Sequence, residues 1–458
     1  MNGRTHRAGP HVPGHRTTRN GAAPPGPSRR NFLLGAGALG GAAALGLGGC
    51  SGAASAFTGG TLDFWHLLTG PDGQILTRML EDFQGEHGDV TVNETVLAWG
   101  RPYYTKLAMA SAGGRAPDVA VMHIARLPGY APGGMLDSWD LDLLEELGVG
   151  PDTFPETVWE KGFYGDELKA IPLDMHPFVL YYNTDVAEQA GVLGPDGLLE
   201  GVDTEEGFRD VALRMGEVTG GHGLSYGYLD DAANMWRMFD TWYTQMGGTI
   251  NLPEGGPMEI DEDKAIRTLE WIRSLLDGEV ASASNLGSSA IAEFGTQRAG
   301  MFMGGVWEIQ SYRDQGVPFG MQMIPPIFGR PAAYCDSHSF VLPHQSSPDP
   351  DKRRMVHEMV ASLLKSSVQW ADAGHLPVYL PVLESEEYSQ LDPQADYAEA
   401  AEHAVYDPPA YFTGSGADFS EYFGDHLLQV YTGAVPPERG LQNFIDRINE
   451  LLAKPSPL

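Results

Sequence analysis

The chain has 458 residues and carries 61 acidic against 29 basic side chains, a formal charge of −32. A body so acidic is repelled by phosphate backbones and by anionic membrane surfaces, which excludes a nucleic-acid partner. With 42% hydrophobic and only 20% charged residues, the sequence can still build cores, and at this length two lobes are expected in place of one.

The first 50 residues stand apart. They hold six arginines and no acid. Residues 1–27 have no apolar period. Ser28-Arg29-Arg30-Asn31-Phe32-Leu33 then leads into an uncharged Gly/Ala/Leu stretch ending at Leu47-Gly48-Gly49-Cys50. A basic flank, a short apolar region and small residues before a cleavage point are the features of an export signal. The Arg29-Arg30 pair resembles the twin-arginine signal, and Leu-Gly-Gly-Cys resembles the lipobox of bacterial and archaeal lipoproteins. The expectation is a signal peptide over 1–50, lipidation of Cys50, a flexible tether over 51–60, and a protein held by its lipid at the outer face of the cell membrane. A transmembrane anchor is the competing reading, but the stretch is Gly-rich and weakly hydrophobic, and no later segment has the ~20 apolar residues needed to span a bilayer. The other cysteine, Cys335, has no partner left, so no disulfide framework is expected. CxxC and HExxH are absent, and neither a metal nor a cofactor is expected.

In chain order, Thr61–Trp65 reads as a strand. Ile75, Leu76, Met79, Leu80 and Phe83 then recur at helical spacing. Val90–Leu97 is a second strand, Tyr103–Ala112 a helix stopped by Gly113-Gly114, and Pro117–Met122 a third strand. This alternation predicts parallel βαβ units. The pattern restarts with a strand at Phe178–Tyr182 and a helix opened by Asn183. Asp203-x-x-Glu206 has the form of a capping box, and Asp261–Leu276 is an amphipathic helix. Met301–Met303 is a short strand ending at Gly304-Gly305, and 351–374 and 441–452 are helical. The fold class is α/β with two lobes, and in open α/β sheets ligands lie beyond the carboxyl ends of the strands.

No GxSxG elbow, P-loop or dinucleotide fingerprint occurs, and carboxylate pairs carry little information among 61 acids. The tryptophans are more informative. Trp65, Trp99, Trp236 and Trp307 fall at strand ends or in loops, off any helical stripe, whereas Trp271 and Trp370 lie within helices and read as core. An aromatic face covers the C–H face of a sugar ring while polar neighbours bond its hydroxyl rim.

Thr-Leu-Asp-Phe-Trp-His, Trp-x3-Tyr-Tyr-Thr-Lys-Leu, Ala-Pro-Asp-Val, Ala-Ile-Pro-Leu, Tyr-Tyr-Asn-Thr-Asp, Gly-x-x-Arg-Ala-Gly-Met-Phe-Met-Gly-Gly-Val-Trp and Gly-His-Leu-Pro-Val follow one another in that order. Over residues 61–452 the chain resembles an extracellular sugar-binding protein of an ABC importer, similar to the maltose-binding protein family. The resemblance implies two α/β lobes joined by a multi-crossing hinge, with ligand in the cleft between them. Lobe 1 would comprise 61–176 and 328–380, and lobe 2 would comprise 177–327 and 381–458, with crossings near 172–182, 325–334 and 376–382. It further implies a monomer that captures a di- or oligosaccharide and delivers it to the permease's transmembrane subunits, without catalysis. Trp307 matches the family's sugar-stacking tryptophan. His66, His123, Asp174 and His176 fall at cleft positions, and Trp99 and Trp236 match as loop aromatics. The abundance of histidine (His66, His123, His176, His338) departs from the pattern and puts the sugar's identity in doubt. Two alternatives stay open. One is the same fold carrying a non-sugar solute such as a polyamine; the other is an exported glycoside hydrolase with an acid–base carboxylate pair. Arg126 is the one basic residue placed near the cleft mouth, which favours a neutral cargo over a phosphorylated one.

Overall fold

Two mixed sheets carry the chain in the computed structural model, which describes residues 60–456. Arg29, Arg30, Cys50 and all but the last residue of the tether lie outside the described residues. The first sheet runs Thr91–Val96, Thr61–His66, Val119–His123, His338–Pro343, Leu136–Asp137, with Ala170–Pro172 also paired to His338–Pro343. Its first three strands are parallel, as the strand–helix alternation requires. The second sheet runs Ala404–Val405, Ala333–Asp336, Asp174–Asn183, Ala299–Gly305, His222–Ser225, with Phe319–Met323 and Leu376–Pro377 added to Asp174–Asn183.

Asp174–Asn183 is buried along all ten residues, as a strand covered on both faces must be. Its alternation serves two cores. Met175, Val179 and Tyr181 pack with Phe64, Val121 and Phe340, while Phe178, Leu180 and Tyr182 pack with Met301, Met303 and Trp242. The chain passes between the sheets three times: at Leu173, between Pro172 and Asp174; at Ser337, between Asp336 and His338; and between Asp372, which ends a helix, and Leu376. The two-lobed α/β architecture is therefore present, with its crossings side by side.

Most elements lie where the periodicity puts them, and two sequence readings need correction. The helix Glu205–Thr219 is capped by Thr204, whose side chain accepts from the Gly207 amide, so the box starting at Asp203 is off by one residue. Ala232–Gln245 is a helix capped by Asp231, not the loop expected around Trp236. Twelve of its fourteen residues are buried, and a helix covered on nearly every side shows no stripe to read. None of the described helices is long and apolar enough to cross a membrane.

Candidate functional site

A cavity of about 750 Å³ opens between elements of the two sheets. The first-sheet side supplies Leu67–Thr69 and Asp72, just past the strand Thr61–His66; Trp99, before the helix Arg101–Ala112; and His123, the last residue of Val119–His123. Those positions are carboxyl ends of parallel strands, where an open α/β sheet leaves backbone and side chains facing a crevice. His176 and His338 come from the crossing strands. The opposite wall is Tyr228–Ala233, Met235 and Arg237, then Trp307, and then Glu421 to Gln429 on the helix Asp418–Tyr431.

Trp307 follows Gly304-Gly305, and the reason for glycine there is room, not backbone freedom. Gly305 has an ordinary φ of −85°. A Cβ on it would meet the Trp307 ring at 2.0 Å. The indole thus lies across its own strand end, with the Arg237 guanidinium 4.9 Å from its centroid and the His176 ring edge-on at 5.9 Å. Trp99 is 42% exposed and meets His123 edge-on at 6.5 Å. The Tyr104 hydroxyl accepts the His123 backbone N–H and lies 2.7 Å from its Nδ1. Burial, and then the facing imidazoles of His338 and His176, hold His123 well below the usual histidine range, so it meets solvent or ligand as a neutral group.

Four of the residues selected by sequence therefore line the cavity: Trp99, His123, His176 and Trp307. Three do not. His66 is fully buried, with Nε2 2.7 Å from Glu94 Oε1 and Nδ1 accepting the Leu68 amide; it positions the Leu67–Leu68 segment that forms the wall. Asp174 is fully buried beneath the cleft, accepting from Trp370 Nε1 at 2.6 Å and facing the imidazoles of His176 and His338. Burial would raise its carboxyl, but the neighbouring histidines keep it well below the usual range. Trp236 is 1% exposed and donates Nε1–H to Asp407 Oδ1; it is a core residue. Arg126 lies over Tyr104 and Tyr130 rather than in the cavity wall.

Arg237 was missed. It sits one residue after Trp236 in the buried helix, is 8% exposed, and leaves its Nε without a hydrogen-bond partner among the described residues. The lining acids Asp72, Asp230, Asp231, Glu421 and Asp425 were lost among the many acids of the chain. Asp230 and Asp231 accept the amides of Gly287 and Asn234, so their geometry is fixed before any ligand arrives.

Two α/β lobes with a cavity walled by both, and three adjacent crossings behind it, define a hinged binding protein. The chain belongs to the bacterial extracellular solute-binding protein family, whose model matches residues 78–354. No curated protein sequence matches it. Among solved structures, the chain is similar to the GacH receptor of Streptomyces glaucescens, at 21% identity and a TM-score of 0.73 over 86% of this chain and 98% of that one. It is also similar to the maltose-bound MalE3 of T. maritima, at 16% identity and a TM-score of 0.72 over 85% and 99%. A solute-binding protein of an ABC transporter from Thermotoga lettingae, bound with α-D-tagatose, matches at 19% and 0.71 over 86% and 99%.

Proposed function

We propose that this protein captures a di- or oligosaccharide outside the cell and hands it, unaltered, to the transmembrane subunits of an ABC importer. The observation that carries the reading is the pairing of Trp307 on one wall with Trp99 on the other, across a cavity rimmed by His123, His176, Arg237 and the fixed carboxylates of Asp230 and Asp231. Aromatic faces suit the C–H surfaces of sugar rings, and the rim supplies donors and acceptors for hydroxyls. Proteins of the same fold are described with acarbose, maltose and tagatose, which supports the class of cargo. The two lobes would close about the crossings at Leu173, Ser337 and 373–375. Delivery in this scheme starts from a monomer, exported by the Arg29-Arg30 signal and anchored through a lipidated Cys50.

One observation favours a second cargo. Five carboxylates line the cavity against one guanidinium, a balance that suits a cationic solute such as a polyamine. Melting the full chain against a panel of mono- and oligosaccharides and polyamines separates the two, because a ligand that binds only the folded state raises the melting temperature. A shift with a sugar and none with polyamines is expected; the reverse result replaces the sugar reading. The recovered sugar should be chemically unchanged, and steady turnover would move the protein to the enzyme class.

A further inference from the structure

Beneath the cavity, Asp174, His176, His338 and His375 are all buried, and one ligand atom from each lies within 4.8 Å of the others. They come from the three segments in which the chain passes between sheets: Asp174 and His176 just after Leu173, His338 just after Ser337, and His375 just before Leu376. We propose that this cluster binds one divalent transition-metal ion of the zinc class, through Nδ1 of the three histidines and the Asp174 carboxylate, and that the ion clips the three crossings together.

The spacing fits. His176 Nδ1 is 3.0 Å from Asp174 Oδ1, His338 Nδ1 is 2.8 Å from Oδ2, and His375 Nδ1 is 3.3 Å from Oδ2. In a tetrahedral zinc site with bonds of about 2.0–2.1 Å, neighbouring ligand atoms stand about 3.3 Å apart, so the wider separations in the cluster, up to 4.8 Å, would contract on binding. Three imidazoles and one carboxylate are a borderline nitrogen-rich set that suits zinc or cobalt, and offer too few oxygens for calcium or magnesium.

The setting of His375 points the same way. Its Nε2 faces Asp72 Oδ2 at 3.2 Å, which sets an N–H on that side and turns Nδ1 toward Asp174. That Nδ1 has no hydrogen-bond partner among the described residues and is aimed at a carboxylate oxygen. A ring nitrogen set between two carboxylates calls for a positive charge on its Asp174 side, a proton or, as proposed, the metal ion. Asp72 then acts as the outer carboxylate that orients a metal-ligating histidine and raises its basicity. The surrounding groups hold the remaining geometry. Trp370 donates to Asp174 Oδ2, and its indole stacks on the His375 ring at 4.4 Å with planes 8° apart. The His338 backbone N–H donates to Asp174 Oδ1 at 2.8 Å. His176 and His338 also line the cavity, which gives an ion its route from solvent.

The test reads the ion directly, so its failure leaves the solute-binding reading untouched. The full chain, stripped with chelator, is titrated with Zn²⁺ by calorimetry and with Co²⁺ by visible absorption. One ion per chain, the intense visible bands of tetrahedral Co²⁺, and a melting temperature raised by Zn²⁺ and lowered again by chelator are expected. Asp72→Asn keeps all four ligands and should weaken metal affinity about 10- to 100-fold; His375→Ala should abolish uptake. His222→Ala, which removes a histidine paired with Glu293 outside the cluster, should leave uptake intact. A natively folded chain that takes up no stoichiometric Zn²⁺ or Co²⁺ overturns the proposal, and the cation between His375 and Asp174 is then a proton. Should His375→Ala fail to fold, the wild-type stoichiometry and the Asp72→Asn affinity decide.

Discussion

Removing the Trp307 indole tests the proposed sugar platform most directly. The ring is half-buried, held from below by Gly305 and flanked by Arg237 at 4.9 Å and His176 at 5.9 Å. It is therefore oriented before ligand arrives and pays little ordering cost on binding. A rigid aromatic anchor of this kind contributes about 2–4 kcal/mol, so Trp307→Ala should weaken sugar binding about 30- to 1000-fold. Gly305→Ala leaves the indole in the chain but places a methyl 2.0 Å from it, so it should lose affinity by displacing the platform. Trp271→Ala is the contrast: that side chain is 2% exposed in the second core, and its loss should cost ~3–5 kcal/mol of stability with affinity unchanged in the folded fraction. Calorimetric titration and melting temperature are measured for all three. If Trp307→Ala binds sugar like the wild type but melts far lower, the indole is a core residue and the platform reading fails.

Trp236→Phe removes the donor to Asp407 Oδ1, leaving that buried oxygen unpaired while Tyr334 still serves Oδ2. It should cost about 1–3 kcal/mol of stability and nothing in ligand affinity, and an affinity loss at unchanged melting temperature would return Trp236 to the binding site. Burial, with Asp72 nearby, pushes the Glu308 carboxyl from 4.5 up to about 7 against opposing hydrogen bonds from Ser311 and Trp307. A folded-state value above the unfolded one means that the Glu308 contribution to stability is fully present below pH 4.5 and is lost as pH rises to about 7, about 3 kcal/mol in all. Glu308→Gln should flatten that slope in melting temperature against pH, and parallel curves would refute the assignment. Cys50→Ser should release the protein from the membrane fraction, and Arg29→Lys with Arg30→Lys should block export; a Cys50→Ser protein that stays membrane-bound indicates a transmembrane anchor.

The amphipathic helices were legible because each is half-buried and its pattern has a period, and the fully buried strands, such as Val119–His123 and Ala299–Gly305, because they are short apolar runs bounded by turn signals. Trp99, His123, His176 and Trp307 were legible because they follow strand or turn signals, or sit in motifs of the family resemblance. Trp236 was misread, and Arg237 beside it missed, for one reason: Ala232–Gln245 is buried around its whole circumference, so it has no polar face to mark it as a helix. The role of Gly305 was not legible, since nothing in a sequence distinguishes a glycine needed for φ from one needed for space. The Asp174 cluster was invisible as a cluster. Its members sit at 174, 176, 338 and 375, and no spacing rule joins residues that meet only because three crossings run side by side.

The acid-rich wall makes one further demand on the sugar reading. Sugar hydroxyls are donors as well as acceptors, and a carboxylate accepting a hydroxyl makes a stronger bond than a neutral acceptor does. Asp230 and Asp231, already fixed by the amides of Gly287 and Asn234, can therefore serve a neutral ligand without pairing with a counter-charge. A cationic ligand would use the same acids, with Glu421 and Asp425, through Coulombic attraction instead. The two mechanisms part in salt. Ions screen charges over about 8 Å at physiological ionic strength and about 3 Å at 1 M, so attraction of a polycation to this wall must fall steeply as salt rises. Hydrogen bonds and stacking to a neutral sugar carry no such term. The dissociation constant of the best sugar from the panel is expected to change by less than about threefold between 0.05 and 1 M salt, a difference of under ~0.7 kcal/mol. A tenfold or greater loss of affinity over that range would mean that net charge draws the cargo into the cleft, and the polyamine reading would take the place of the sugar.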